Sequence, residues 1–180
     1  MIGFTIRELT PDDLHPDLLL HFNRYQEVKR CLRKENDGWV LKDICFSEQW
    51  DKTLKEEIVA ADFSHCLNSG GNVWGAFNQS KELIAFASLS SRFFGNDNEY
   101  LQLTQIHTSY EYRNKGVGKA LFKVIAQKAK DSGAKKLYIS THSSEESQMF
   151  YSSIGCVDAL EINKELAELE PCDRQMEFVL

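Results

Sequence analysis

The stretch Arg113-Asn114-Lys115-Gly116-Val117-Gly118-Lys119-Ala120 follows an apolar, strand-like segment and opens a helical stripe of apolar residues. A strand-to-helix junction leaves the first helical N–H groups unpaired at the positive end of the helix dipole, where they attract phosphate oxygens. Glycines there let an anion approach the backbone, because a Cβ would collide with it. The stretch therefore predicts a phosphate-binding cradle in a strand–helix unit.

Other glycine motifs share this physics, but the spacing excludes two of them. A Walker loop needs a glycine five residues before Gly118 and a Ser or Thr after Lys119, whereas this chain has Arg113 and Ala120. A dinucleotide fingerprint needs a third glycine where Leu121 stands. The stretch does match R-x-x-G-x-G/A, and so resembles the first signature of the GNAT superfamily of N-acetyltransferases. A helix start that carries glycines for structural reasons is the alternative.

A second segment, in the right order along the chain, strengthens the resemblance. Residues 144–156, S-E-E-S-Q-M-F-Y-S-S-I-G-C, are similar to the family's N-x-x-A-x-x-F-Y-x-x-x-G-F, with Ser144 in place of the usual Asn. Residues 105–112 resemble the strand before the cradle, with Tyr110 in place of the usual proline. The resemblance covers residues 73–180 well and the N-terminal part by topology alone.

The resemblance implies acetyl-CoA as the co-substrate. The N–H groups of residues 117–120 would hold its pyrophosphate, Arg113 and Lys115 would add positive charge, and the backbone of residues 106–108 would pair with the pantetheine arm like an added strand. The hydroxyl of Ser144 offers a weaker version of the Asn contact. The candidate cofactor-binding residues are Ile106, His107, Thr108, Arg113, Asn114, Lys115, Gly116, Val117, Gly118, Lys119, Ala120 and Ser144.

Direct acetyl transfer needs a neutral amine and a proton source for the leaving thiolate. Tyr151 matches the family's tyrosine in the second role, with packing against Phe150 as the alternative. The general base stays open between Glu99, His107 and His142, each of which is otherwise a structural residue; Glu99, at the start of a strand, is the candidate carried forward. Trp39, Phe46 and Trp50 are candidates for the acceptor wall or for core packing, in even balance.

Hydrophobic periodicity predicts alternating strands and helices. The predicted strands are residues 4–9, 73–77, 83–89, 99–108, 136–140, 157 onward and 175–180, and the predicted helices are residues 14–33, 51–67, 117–132 and 145–153. This order predicts an α/β (α+β) fold, and the resemblance adds a GNAT-like mixed, mostly antiparallel sheet of about six to seven strands with splayed central strands. We expect one domain over residues 1–180.

Composition limits the partners. A formal net charge of −6 argues against nucleic acid and favours a cationic substrate. The N-terminus lacks a signal-peptide pattern and no segment has the ~20 apolar residues of a membrane span, so we expect a cytosolic protein without a membrane partner. The five cysteines, which are odd in number and widely spaced, predict neither disulfides nor a metal site: Cys31, Cys45, Cys66, Cys156 and Cys172.

The leading interpretation is an enzyme that acetylates a primary amine of a small molecule or a peptide. A module that senses acetyl-CoA or CoA without catalysis is the alternative, and Tyr151 discriminates between them, because a pure binder does not need its hydroxyl. The alternating last strand is a candidate edge for a homodimer.

Overall fold

The computed structural model describes residues 3–36 and 38–180. Along the chain the elements are β1 (Thr5–Glu8), β2 (Gln26–Glu35), β3 (Gly38–Glu48), α1 (Lys52–Glu57), α2 (Ser64–Asn68), β4 (Asn72–Phe77), β5 (Leu83–Leu89), β6 (Tyr100–Thr108), α3 (Val117–Asp131), β7 (Lys136–Thr141), α4 (Glu145–Ser153), β8 (Val157–Asp158), α5 (Lys164–Leu169) and β9 (Arg174–Val179). A π-helical turn, Ile58–Phe63, joins α1 to α2.

Seven strands form one sheet in the order β1-β4-β5-β6-β7-β9-β8. Among the described strand pairs only β6–β7 is parallel, and it is short: residues 100–102 pair with residues 136–138. Residues 103–108 of β6 continue beside β5 instead. The C-terminal ends of β6 and β7 therefore diverge, and we call the gap between residues 103–108 and residues 139–141 the splay. This arrangement confirms the predicted fold class.

A network of charged and hydroxyl groups holds the paired end of the two central strands. Lys136 Nζ lies 2.9 Å from Glu99 Oε1 and 3.5 Å from Glu177 Oε1, and the hydroxyl of Tyr100 donates to Glu177. These contacts raise the pKa of Lys136, and the hydrogen bond to Glu99 is the largest cause. The strands are thus tied together at one end and free to part at the other.

The predicted helix over residues 14–33 is wrong. Two short 3₁₀ turns, Pro11–Asp13 and Pro16–Leu19, lead into β2, which pairs with β3 as a separate two-stranded sheet. The apolar residues that look helical occupy the turns, and the alternation that marks a strand is interrupted by a bulge between Val28 and Arg30. Strand pairing with residues far along the chain overrides the local pattern here.

Most other predicted elements are confirmed within one or two residues. The helix over residues 51–67 is present as α1, the π turn and α2, and Asp51 caps it by accepting from the N–H of Leu54 at 2.8 Å. The strand from Val157 onward is shorter than predicted, because β8 has only two residues and α5 follows it. The last strand is not the sheet edge, since β9 lies between β7 and β8.

Two apolar clusters pack on the strands. In one, α3 packs through Leu121 and Ile125 with strand residues such as Leu101 and Ile139, and Tyr151 of α4 belongs to the same cluster. In the other, Phe63 of the π turn packs against Phe86 of β5, with ring centroids 4.9 Å apart. No helix in the described residues is long and apolar enough to cross a membrane.

Candidate functional site

The predicted cradle forms the start of α3. Gly116 precedes the helix with φ +84°, a left-handed conformation that favours glycine, and Asn114 has φ +58°. Among residues 3–36 and 38–180, the N–H groups of Val117, Gly118 and Lys119 have no hydrogen-bond acceptor. These three groups give the helix start its capacity for an anion.

The fourth predicted N–H group is already engaged. Ala120 N–H donates to Gly116 O at 3.0 Å, as the first bond of the helix. The expectation of four free N–H groups therefore changes to three, with Ala120 closing the first turn.

Gly118 joins the cradle to the splay. A Cβ at this position would lie 3.3 Å from Thr108 Oγ1 and 3.4 Å from Phe150 Cε2. The start of α3 therefore lies close to both the end of β6 and α4, and a larger residue would fill the narrow space between them. This geometry fits a phosphate group at the helix start whose attached chain runs along β6.

The backbone at the end of β6 offers a strand-like edge to the splay. Ser109 N–H donates to Ile84 O on β5, so strand alternation turns the backbone groups of His107 toward β5 and those of Ile106 and Thr108 toward the gap. The prediction that the backbone of His107 binds the cofactor does not fit this register. Ile106 and Thr108 keep the suitable orientation.

The two cradle cations turn toward neighbouring aromatic rings. Arg113 donates through Nε to Thr108 O at 3.2 Å, its guanidinium lies 5.6 Å from the Tyr110 ring centroid, and its Nη1 lies 3.9 Å from Glu146 Oε2. Lys115 Nζ lies 5.7 Å from the centroid of the Tyr112 ring. Arg113 thus links the end of β6 to the first turn of α4, so it acts at the mouth of the splay.

Ser144 immediately precedes α4 and forms an isolated β-bridge with Cys31 of β2. Its side chain is almost fully buried, and its hydroxyl accepts from Ser147 N–H at 3.4 Å, donates to Ser147 Oγ at 2.9 Å and accepts from Gln26 Nε2 at 3.3 Å. These contacts make Ser144 a helix cap. Its predicted contact with the cofactor does not fit this arrangement.

Glu99 does not fit the role of general base. It precedes β6 at the paired end, where its carboxylate contacts Lys136, while the splay opens at the far end beyond residue 103. At about 3.3 Å per residue, Glu99 and His107 are separated by roughly 26 Å along the strand. The sequence missed this because it shows the strand but not which end stays closed.

The two histidine candidates both lie near the open end, in different surroundings. His107 is half-buried, and desolvation, followed by the charges of Arg24, Arg113 and His142, lowers its pKa to about 3. Its ring packs edge-on against Trp50, with centroids 4.8 Å apart. His107 is therefore a neutral packing residue rather than a base at neutral pH.

His142 contacts the end of the β2–β3 hairpin. Its Nδ1 accepts from Ser144 N–H at 3.3 Å, and its Nε2 lies 3.5 Å from Glu48 Oε1. Glu48 Oε2 in turn lies 3.1 Å from Nη2 of Arg24. We call Arg24, Glu48, Trp50, His107 and His142 the Glu48 cluster. Phe46 packs edge-on against His142, with ring centroids 6.2 Å apart, so Phe46 borders the cluster beside its member Trp50.

Sequence reasoning missed Arg24 and Glu48. Arg24 lies in the predicted helix over residues 14–33 and Glu48 lies between the two predicted N-terminal helices, and nothing in their own neighbourhood distinguishes them from surface charges. Trp39, the third candidate wall residue, lies elsewhere, since its ring is 5.7 Å from the guanidinium of Arg174. Only the pairing of β2 with β3 brings Glu48 beside Arg24, because Gln26 and Glu48 are register partners.

Tyr151 on α4 keeps its proton. Burial above all, and then Cys156 and Asp173, raise its pKa, and only 8% of the residue is exposed. Its hydroxyl makes no hydrogen bond within the described parts of the chain. A protonated hydroxyl without a protein acceptor suits a group that donates to a bound molecule.

Comparisons with known proteins agree with this geometry. The family model described as "Acetyltransferase (GNAT) family" matches residues 36–155. No curated protein matches the chain.

Several solved structures share the fold. A Bacillus anthracis protein provisionally assigned as a streptothricin acetyltransferase, solved with acetyl coenzyme A, has a TM-score of 0.75 at 20% identity over 99% of both chains. A nourseothricin acetyltransferase has a TM-score of 0.67 at 16% identity, covering 97% of this chain and 95% of its own. The PaiA N-acetyltransferase of Thermoplasma acidophilum, solved with coenzyme A, has a TM-score of 0.60 at 14% identity, covering 99% and 100%.

Proposed function

Because the chain belongs to the GNAT family of acetyltransferases, we propose that it binds acetyl-CoA and transfers the acetyl group directly to a primary amine of a small molecule or a peptide. The observation that carries this proposal is the set of three N–H groups, on Val117, Gly118 and Lys119, without an acceptor in the described chain and beside the splay. The acetyl-CoA and coenzyme A complexes of proteins with the same fold support the choice of co-substrate.

The positions of the residues suggest which part of the cofactor each would bind. The N–H groups of residues 117–119 would hold the pyrophosphate, since the helix dipole and the free donors both favour an anion there. The backbone groups of Ile106 and Thr108 that face the splay would pair with the pantetheine arm. Arg113, at the mouth of the splay, would add positive charge.

When bound, acetyl-CoA supplies an activated acyl carbon and a thiolate leaving group. The chain must then do two things at the reacting atoms. It must present the amine without its extra proton, and it must return a proton to the thiolate. Tyr151 Oη holds a proton for the second task, because burial disfavours its ionised form.

For the amine, the charged surface of the Glu48 cluster is the best-placed group. Glu48 and His142 are both about one-third exposed, so a bound molecule can reach them, whereas desolvation lowers the pKa of His107 to about 3 and makes it a poor base. A carboxylate attracts an ammonium group and accepts its proton directly or through water. The nourseothricin acetyltransferase of the same fold supports a small-molecule acceptor.

The test combines binding with turnover. We expect calorimetry to give micromolar affinity for acetyl-CoA, together with a rise in melting temperature, because a ligand specific for the folded state shifts the unfolding equilibrium. A panel of primary amines and N-terminal peptides is then screened for CoA release. Absence of binding at millimolar acetyl-CoA contradicts the proposal. Binding without CoA release from any amine indicates a non-catalytic sensor instead.

A further inference from the structure

Arg24 is a buried cation with incomplete hydrogen bonding. It is 9% exposed, and only Nη2 has a partner, Glu48 Oε2 at 3.1 Å. Its Nε and Nη1 are buried without an acceptor among residues 3–36 and 38–180. Desolvation lowers its pKa, although a guanidinium stays charged at any physiological pH.

Such a group is costly unless something completes it. A buried donor without an acceptor loses the hydrogen bonds it would make in water, and the loss is larger for a charged donor. Arg24 also lies near another cation, Arg113, and the positive charge of Arg113 further lowers the pKa of Arg24. An arginine in this state is suited to a ligand oxygen that is negative or strongly polar.

The position of Arg24 brings that oxygen close to the reacting amine. Its guanidinium lies 5.5 Å from the centroid of Trp50, and Trp50 packs on His107 of β6. It also touches Glu48, the group that we assign to the amine. A ligand that uses both groups therefore carries a cation and an oxygen acceptor within a few atoms of each other.

We propose that the acceptor is an amine with a carboxylate or carbonyl oxygen next to the amino group, as in an amino acid or an aminoacyl compound. Its oxygen accepts from the free N–H groups of Arg24, and its ammonium lies against the carboxylate of Glu48. Trp50 and Phe46 form the apolar sides of the site. This inference rests on the proposed acetyltransferase function and specifies its substrate class.

The cofactor also contains carbonyl oxygens, and Arg24 could donate to one of these in the same way as to an oxygen of the acceptor. The two sources differ in what Arg24 controls. If the oxygen belongs to the acceptor, Arg24 sets the acceptor KM. If it belongs to the cofactor, Arg24 sets the affinity for acetyl-CoA. The position of Arg24 beside Glu48 favours the acceptor.

The experiment uses pairs of amines that differ only in the carboxylate. Lysine is compared with cadaverine, tyrosine with tyramine and histidine with histamine, and each amino acid amide is included to separate a carbonyl from a carboxylate. For the parent protein we expect kcat/KM to favour the oxygen-bearing member by about 10- to 100-fold, the range that one hydrogen bond to a charged group provides. The melting temperature with each compound is recorded in parallel.

Two variants locate the preference. Arg24→Met keeps an apolar chain over Trp50 but removes the donors, so it is expected to remove the preference through KM while acetyl-CoA affinity stays at the parental value. Arg33→Met is the matched control, since Arg33 lies further along in β2 but donates to Leu32 O and Ser143 Oγ. It is expected to keep the preference.

Several results overturn the inference. The inference is wrong if the parent protein acetylates the decarboxylated amines as efficiently as it acetylates the amino acids. This comparison does not depend on the folding of any variant. The inference is also wrong if Arg24→Met keeps the preference for the oxygen-bearing amine, or if this variant loses affinity for acetyl-CoA instead of losing the preference. It is wrong as well if the parent protein is neither stabilised by an oxygen-bearing amine nor able to acetylate one. The proposed function fails separately, through the absence of acetyl-CoA binding.

Discussion

Glu48 and His142 are separated by about half the length of the chain, yet Nε2 of His142 lies 3.5 Å from Oε1 of Glu48. The ring orientation is set from the other side, because Ser144 N–H donates to Nδ1 at 3.3 Å. Nδ1 is therefore the unprotonated nitrogen of the neutral ring, and the Nε2–H faces the carboxylate. The helix cap of α4 thus fixes the tautomer of a histidine that contacts the β2–β3 hairpin.

This relationship leads to a prediction for Glu48→Gln. The change keeps the shape but removes the negative charge, so the KM for a cationic amine should rise about 10-fold, since a hydrogen bond to a charged group contributes roughly 1.5–3 kcal/mol. Acetyl-CoA affinity should remain, because Glu48 contacts Arg24 and His142 rather than residues 117–119. Steady-state kinetics with calorimetry separate the two quantities.

The control for this change is Glu27→Gln. Glu27 lies in β2 beside the residue that pairs with Glu48, its side chain is 60% exposed, and its Oε2 lies 3.7 Å from Nζ of Lys29. An exposed pair contributes little. If Glu27→Gln raises the acceptor KM as much as Glu48→Gln does, the effect comes from overall charge and Glu48 has no special role.

Gly118 tests the cradle. Gly118→Asp places a carboxylate in the first turn of α3, where the helix dipole tolerates it but a phosphate does not. Gly118→Asn adds almost the same volume near Thr108 and Phe150 without the charge. We expect acetyl-CoA affinity to fall at least about 10-fold further in the Asp variant than in the Asn variant, measured by calorimetry. Equal affinities in the two variants would place the pyrophosphate elsewhere.

The sequence predicted the second half of the molecule well because its signals are local. The glycines at 116 and 118 must lie at the start of α3, and the alternation in residues 99–108 must form β6, whatever surrounds them. The first half could not be predicted in the same way. Residues 26–35 become a strand only because residues 38–48 pair with them, and the choice between Glu99 and Glu48 depends on which end of the β6–β7 pair is closed.

Asp173 provides a stability prediction that depends on pH. Burial raises the pKa of its carboxyl group from 3.8 to about 6, against the opposing charges of His142 and Arg33. The folded state therefore binds this proton more tightly than the unfolded state does. The linkage gives stability that is complete below about pH 4 and is lost as the pH rises through about 6.

Asp173→Asn removes this loss, because an amide stays neutral and its oxygen can still accept from Ser143 N–H. We expect the variant to be more stable than the parent by about 1 kcal/mol at pH 7.5, after allowance for partial exposure, and no more stable at pH 4. Urea unfolding at the two pH values gives the comparison. A variant that is equally or less stable than the parent at pH 7.5 contradicts the assigned cause of the shift.

The last prediction concerns Tyr151, whose hydroxyl has no partner in the described chain and whose pKa is raised by burial. Tyr151→Phe leaves the ring packed against Phe150, so stability and acetyl-CoA affinity should change little. Single-turnover acetylation should slow by about 10²–10⁴-fold, the usual contribution of a general acid. Tyr100→Phe is the opposite control: it loses a bond to Glu177 at the closed end and should cost about 1–3 kcal/mol of stability with an unchanged kcat. If Tyr151→Phe reacts at the parental rate, the thiolate takes its proton from another group or from water.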